Sequence, residues 1–283
     1  MAAVREPAVA GSFYASAPAA LRSQLERAFL SPLGPGRLPT VASDGPRRLA
    51  GLVVPHAGYA YSGPVAAHAY AALAADGVPE VVVLVGPNHY GLGPAVAVSG
   101  AAAWRTPLGT LAVDSDLAAA ILAALPAQGT ADFAHEREHS LEVQLPFLQY
   151  LYGDAVRIVP ITMSEQSPAV AASLGRALGR TLAGRNAVVI ASTDLSHYES
   201  QSSAEAKDRL VLKAILESDT DRLLSLAPYR VTACGPGPVA AALLAARELG
   251  ALRVDLLKYA TSGDVSGDTG SVVGYAALAL SRP

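Results

Sequence analysis

Apolar positions along this chain keep two rhythms. Short continuous runs at 52–54, 81–85, 156–161 and 187–191 each stop at turn residues, as buried strands do. Between them lie stretches with apolar residues at helical spacing: 19–30, 64–75, 115–125, 141–152, 168–183, 204–217, 220–226 and 238–249. Pro18 suits the first turn of the first of these, Asp114 or Ser115 caps the third, and Gly250 stops the last. Further strands are expected at 95–99 and 110–113, either side of Trp104, with two closing strands at 254–261 and 271–280. Strands alternating with helices predict one α/β domain over residues 1–283, its mainly parallel or mixed central sheet flanked by helices. The Pro-, Gly- and Ser-rich stretch 31–47 reads as a surface loop, and no repeat of solenoid period is present.

Three of the runs deliver histidine to a strand's carboxyl end. LVVPHAGYAYSG at 52–63 carries His56, the 81–85 run leads through Gly86, Pro87 and Asn88 to His89, and 187–191 leads through Asp194 to His197. In an open α/β sheet the crevice beyond those ends is where ligands bind. Neutral imidazole is the commonest protein ligand for a transition metal, so His56 and His89 are candidate metal ligands. Cys234, just before a helix whose first turn holds Pro236 and Pro238, is a third, with its thiolate favoured by the helix N-terminus. Asp194 and His197, three apart, read as a carboxylate orienting an acid/base imidazole or as two groups facing one ligand, with an Asp helix cap beside a solvated histidine as the alternative.

The segment His135-Glu136-Arg137-Glu138-His139 matches the zinc-protease pattern H-E-x-x-H letter for letter. That chemistry needs both histidines on one helical face. Here they lie in a polar, irregular stretch at 127–140, with Ser140 read as the cap of a helix that starts afterwards and Glu142 in its first turn, so the protease reading is set aside.

Composition narrows the partners. A net charge of −3 with both signs scattered offers no basic stripe for nucleic acid or an anionic membrane. No run approaches the length of a spanning helix, and Arg5, Glu6 and Pro7 interrupt any signal-peptide core. The single cysteine excludes an internal disulfide. These features predict a soluble, cytoplasmic protein.

The ordered motifs REPAVAGSFY (5–14), PHAGY (55–59), GPNH (86–89), WRTPLG (104–109), EHSLEVQLPF (138–147), STDLSHY (192–198) and CGP (234–236) resemble the MEMO family, called AmmeMemoRadiSam system protein B in bacteria and archaea. The family is similar in fold to the class III extradiol dioxygenases, which hold iron(II) with two histidines and a glutamate. The resemblance implies His56, His89 and Cys234 as metal ligands, His197 and Asp194 as catalytic residues, and His139, Glu142, Asn88 and Tyr59 as substrate-pocket lining. It implies iron(II) as cofactor, with copper or zinc as alternatives because a thiolate replaces the carboxylate of the oxygenase triad. The family name implies AMMECR-type and radical SAM companions. The leading expectation is redox or dioxygenase-like chemistry on an unidentified small molecule or peptide; the alternative is a non-catalytic protein that binds a peptide or partner in the same pocket.

Overall fold

The computed structural model describes residues 3–125, 129–226 and 231–283. In chain order the elements are β1 (Val4–Arg5), α1 (Pro18–Leu30), β2 (Leu49–Val54), α2 (Tyr59–Asp76), β3 (Val81–Pro87), β4 (Val96–Val98), β5 (Ala103–Thr106) and β6 (Gly109–Ala112). There follow α3 (Ser115–Ala123), β7 (Gly129–Thr130), α4 (Leu145–Tyr152), β8 (Arg157–Met163), α5 (Pro168–Leu182), β9 (Ala187–Ser192), β10 (His197–Glu199) and α6 (Gln201–Leu216). The chain closes with α7 (Thr220–Leu226), α8 (Pro236–Glu248), β11 (Arg253–Thr261), α9 (Ser262–Ser266) and β12 (Val272–Ser281).

Four parallel strands, β2, β9, β3 and β8 in spatial order, form the middle of a mixed sheet. Antiparallel pairings extend it, β12 on β2 at one side and β4 on β8 at the other, and β10 and β11 both pair with β12. Side chains alternate across the middle strands and both faces are buried. Val53, Val83, Val85 and Val189 join one core with α5 and α8, whereas Leu52, Val54, Leu84 and Ile190 join the other with α1, α2 and α4. The period-2 signal thus disappears into continuous apolar runs, the form the sequence shows. Because β2, β3, β8 and β9 are parallel, the turns that follow them all open at one edge.

Several boundaries differ from expectation. Helix α2 begins at Tyr59 with Pro64 inside it, although Pro64 removes a backbone donor from the helix. Its first turn is held by Tyr61 N–H and Ser62 N–H, which both donate to Gly58 O. Helix α8 starts at Pro236, and β5 forms a hairpin with β6 in a separate small sheet completed by β1. Asp114 caps α3, accepting from Leu117 N–H at 3.0 Å. Ser140 caps nothing: its hydroxyl donates to Pro87 O at 3.0 Å, and a 3-10 turn at Glu142–Gln144 leads into α4. Residues 127 and 128 of the polar stretch lie outside the described residues. Among those described, no helix is long and apolar enough to cross a membrane.

Candidate metal centre

The turns after β2 and β3 carry His56 and His89 to the carboxyl edge, and the start of α8 brings Cys234 to meet them. One donor atom from each lies within 4.8 Å of the other two, and Cys234 Sγ stands 3.3 Å from His56 Nε2. The His56 and His89 rings meet edge to face, with centroids 5.3 Å apart.

Hydrogen bonds fix which nitrogen of each ring is free. The Ser192 hydroxyl spends its proton on Ser140 O at 2.7 Å, so toward His56 Nδ1 at 2.9 Å it can only accept. Nδ1 of His56 is therefore the protonated nitrogen and Nε2, the one beside Cys234, keeps its lone pair. Glu138 does the same for His89, accepting from Nδ1 at 2.9 Å and from the backbone N–H at 2.6 Å. Orientation of a ligand imidazole by a carboxylate behind it is a recurring feature of metal sites. Burial alone raises the Glu138 pKa, but its bonds to His89 and Ser140 N–H bring it down to about 2, so it stands there as an anion. Burial, aided by His139 and His89, pushes the His56 pKa well down and keeps the ring neutral, as a ligand must be.

Asp194 joins the two sides of the centre. Its carboxylate accepts from His56 N–H at 2.8 Å while its own backbone N–H donates to Cys234 Sγ at 3.2 Å. It does not orient His197, as the spacing had predicted. That task falls to Thr232, whose carbonyl accepts from His197 Nδ1 at 2.9 Å and whose hydroxyl accepts from the His197 backbone N–H at 2.7 Å. A carbonyl can only accept, so His197 Nδ1 carries a proton and Nε2 is the nitrogen that faces away from Thr232. The Cys234 thiol also departs from expectation. Burial pushes its pKa up, the Asp194 carboxylate adds to this, and the hydrogen bond from Asp194 N–H opposes them without prevailing. A thiolate here needs a cation beside it.

A cavity of about 660 Å³ opens onto the centre, walled by Phe13, Tyr61, His139, Tyr198 and Tyr275 and reaching His56, His89, Asp194 and His197. His139 lines this cavity, stacked on His89 with centroids 4.6 Å apart and 4.7 Å from Phe13. Its H-E-x-x-H partner is elsewhere: the His135 ring is buried against Trp104, and no helix spans the pair. The other three expected lining residues serve the scaffold. Glu142 is buried, accepting from Arg5, Tyr14 Oη and the N–H groups of Ala8 and Val9. Tyr59 donates to Val143 O in the core, and the Asn88 amide bonds Leu92 O and Tyr90 N–H to shape the turn beyond His89.

Ser192, Glu138 and Thr232 are the residues sequence reasoning missed. Ser192 and Glu138 sit inside recognised motifs, but spacing could not say which candidate ligand each supports. Thr232 approaches from 35 residues away and left no local signal.

An uncharacterized Escherichia coli K12 protein of known structure has a similar fold, with a TM-score of 0.55 over 82% of this chain and 99% of that one at 15% identity. Sequence relatives lie much nearer. A MEMO1 family protein of Methanopyrus kandleri is 50% identical over 98% of this chain and 99% of its own length. Another from Methanothermobacter thermautotrophicus is 50% identical over 97% and 99%. The family model described as Memo-like protein matches residues 5–279. The chain belongs to the Memo family.

Proposed function

We propose that this protein is a mononuclear transition-metal protein that performs redox, dioxygenase-like chemistry on a substrate held in the adjoining cavity. The observation that carries this reading is the convergence of His56 Nε2, His89 and Cys234 Sγ, with the His56 and His89 tautomers set by Ser192 and Glu138. Two imidazoles and a thiolate suit iron(II), copper or zinc; an ion held by His56 Nε2 and Cys234 Sγ would replace the thiol proton between them and leave the bonds that Ser192, Glu138 and Asp194 make to His56, His89 and Cys234 in place. When bound, iron or copper would supply a Lewis-acidic, redox-active centre, and zinc a Lewis-acidic one only. The chain's own residues do the rest. Glu138 and Ser192 hold the ligand rings, and Asp194 keeps the His56 backbone and the Cys234 sulfur in register. Phe13, Tyr61 and Tyr198 offer aromatic walls to the substrate. His197, with Nδ1 committed to Thr232, presents Nε2 as a base at the cavity wall.

Metal analysis after anaerobic purification tests the proposal, paired with oxygen uptake on a panel of small aromatic and peptide substrates. One equivalent of metal in the wild type, none in His89→Ala and oxygen-dependent turnover are expected. A wild-type protein that takes up no metal yet binds peptide in the cavity would instead favour a non-catalytic binding role.

A further inference from the structure

Cys234 sits in the turn Cys234-Gly235-Pro236-Gly237 that opens α8, and the helix cannot cap itself. Its N-cap, Gly235, has no side chain, and a Cβ there would lie 2.6 Å from Ser192 O and 2.8 Å from Thr193 Cβ. The close passage of this turn over the end of β9 therefore excludes the Ser, Thr or Asp that normally holds a helix start. Pro236 and Pro238 carry no N–H, which leaves Gly237 as the one donor among the helix's first three residues.

That donor is satisfied from another element. Gln166, in the loop between β8 and α5, accepts from Gly237 N–H through Oε1 at 2.8 Å, and donates through Nε2 to Cys234 O at 2.8 Å. One planar amide thus grips both ends of the four-residue turn. Its stem is fitted as closely: a Cβ on Gly237 would stand 2.7 Å from Gln166 Cβ. On the opposite side Thr193 Oγ1 accepts from Gly235 N–H at 2.9 Å, so the turn is pinned between the loops after β8 and β9.

We propose that Gln166 is a positioning residue for Cys234, a cap lent by a neighbouring loop that sets where the thiol stands relative to His56 and His89. This rests on the metal-centre reading for its purpose, though not for its geometry. Gln166→Met keeps the stem and removes both polar ends, and the full-length variant can be compared with wild type in two ways. The first is the rate of iodoacetamide alkylation of the metal-free protein at one fixed pH, where the single cysteine gives an unambiguous signal. The second is titration with cobalt(II), read by the thiolate-to-cobalt charge-transfer band, a signature that general loosening of the fold would not shift. Expected are faster alkylation, a displaced band and cobalt affinity weakened by about tenfold, the scale seen when an outer-shell partner is lost. Gln166→Asn, a neutral amide one methylene too short to reach both Gly237 N–H and Cys234 O, carries the same test if the methionine variant does not fold. A wild-type alkylation rate, or wild-type cobalt affinity and band, overturns the proposal. A wild-type protein that shows no cobalt band sinks the metal reading of the site and leaves alkylation to decide the role of Gln166.

Discussion

The two histidines of the H-E-x-x-H match show how one residue type is put to opposite uses by its surroundings. His139 shares the cavity wall with His89, whereas His135 is wholly buried against Trp104, with the Arg5 guanidinium 4.6 Å from the Trp104 ring centroid. His135→Ala should leave metal content at the wild-type level and cost about 3 kcal/mol of stability through the cavity it opens. His89→Ala should abolish metal, and because it also takes the imidazole partner from the buried Glu138 carboxylate it should lower the urea midpoint as well, so metal content is what separates the two variants; equal metal loss in both would restore a protease-like site. Burial also holds the His135 pKa down to about 4, with Asp132 countering it in part, against an ordinary 6.5. Between those values the unfolded chain takes up a proton that the folded chain refuses. The contribution of His135 to stability is thus complete above about pH 6.5 and is lost as pH falls toward 4. In urea titrations at pH 7 and pH 5, His135→Phe should lose less stability on acidification than wild type. An identical loss in both would show that His135 does not stay neutral on folding.

Elements at this edge are held by residues that chemistry alone would have assigned to the site. Glu142 gathers Arg5, Tyr14 and two backbone N–H groups, tying the N-terminal segment to the turn before α4. Arg5 in turn donates to the carbonyls of His135 and Glu138. Glu142→Gln leaves the Arg5 charge buried without its counter-charge, a defect that costs about 3–5 kcal/mol. Urea denaturation should show a loss on that scale, and trypsin should cut after Arg5 in the folded variant; a stability within 1 kcal/mol of wild type would rule this tether out. The same contrast explains what was legible in the sequence. Strands β2, β3 and β9 were visible because parallel strands buried on both faces must be continuously apolar, and their ends pointed to His56, His89 and Asp194. The α2 start was misplaced because Pro64 reads as a beginning, whereas the first turn is set by Tyr61 and Ser62 donating to Gly58. Glu142 and Tyr59 bond within the scaffold, a pairing the sequence does not show because a polar residue near a motif carries no local mark of whether its partner is a ligand or the backbone. Three-dimensional pairings such as His197 with Thr232 have no sequence period at all.

Across the whole molecule, the proposed ligands come from turns that end β2 and β3 and from the turn that leads into α8, with His56 and Cys234 178 residues apart. An ion bound by all three ties the two faces of the sheet together, since α2 packs on one side and α8 on the other. None of these donors is near the others in an unfolded chain, so the ion favours the folded state by its full binding free energy. At free metal one hundred times Kd this amounts to about 2.7 kcal/mol. For a domain of this size about 1 kcal/mol moves Tm by roughly 2–4 °C, so a rise of roughly 5–10 °C is expected on adding iron(II) or cobalt(II) without oxygen. Scanning calorimetry of wild type, His89→Ala and Cys234→Ser with and without metal measures it, and both variants should lose most of the rise. A rise of equal size in all three proteins would mean that the stabilising ion binds elsewhere and that the convergence of the three donors at the sheet edge serves another purpose.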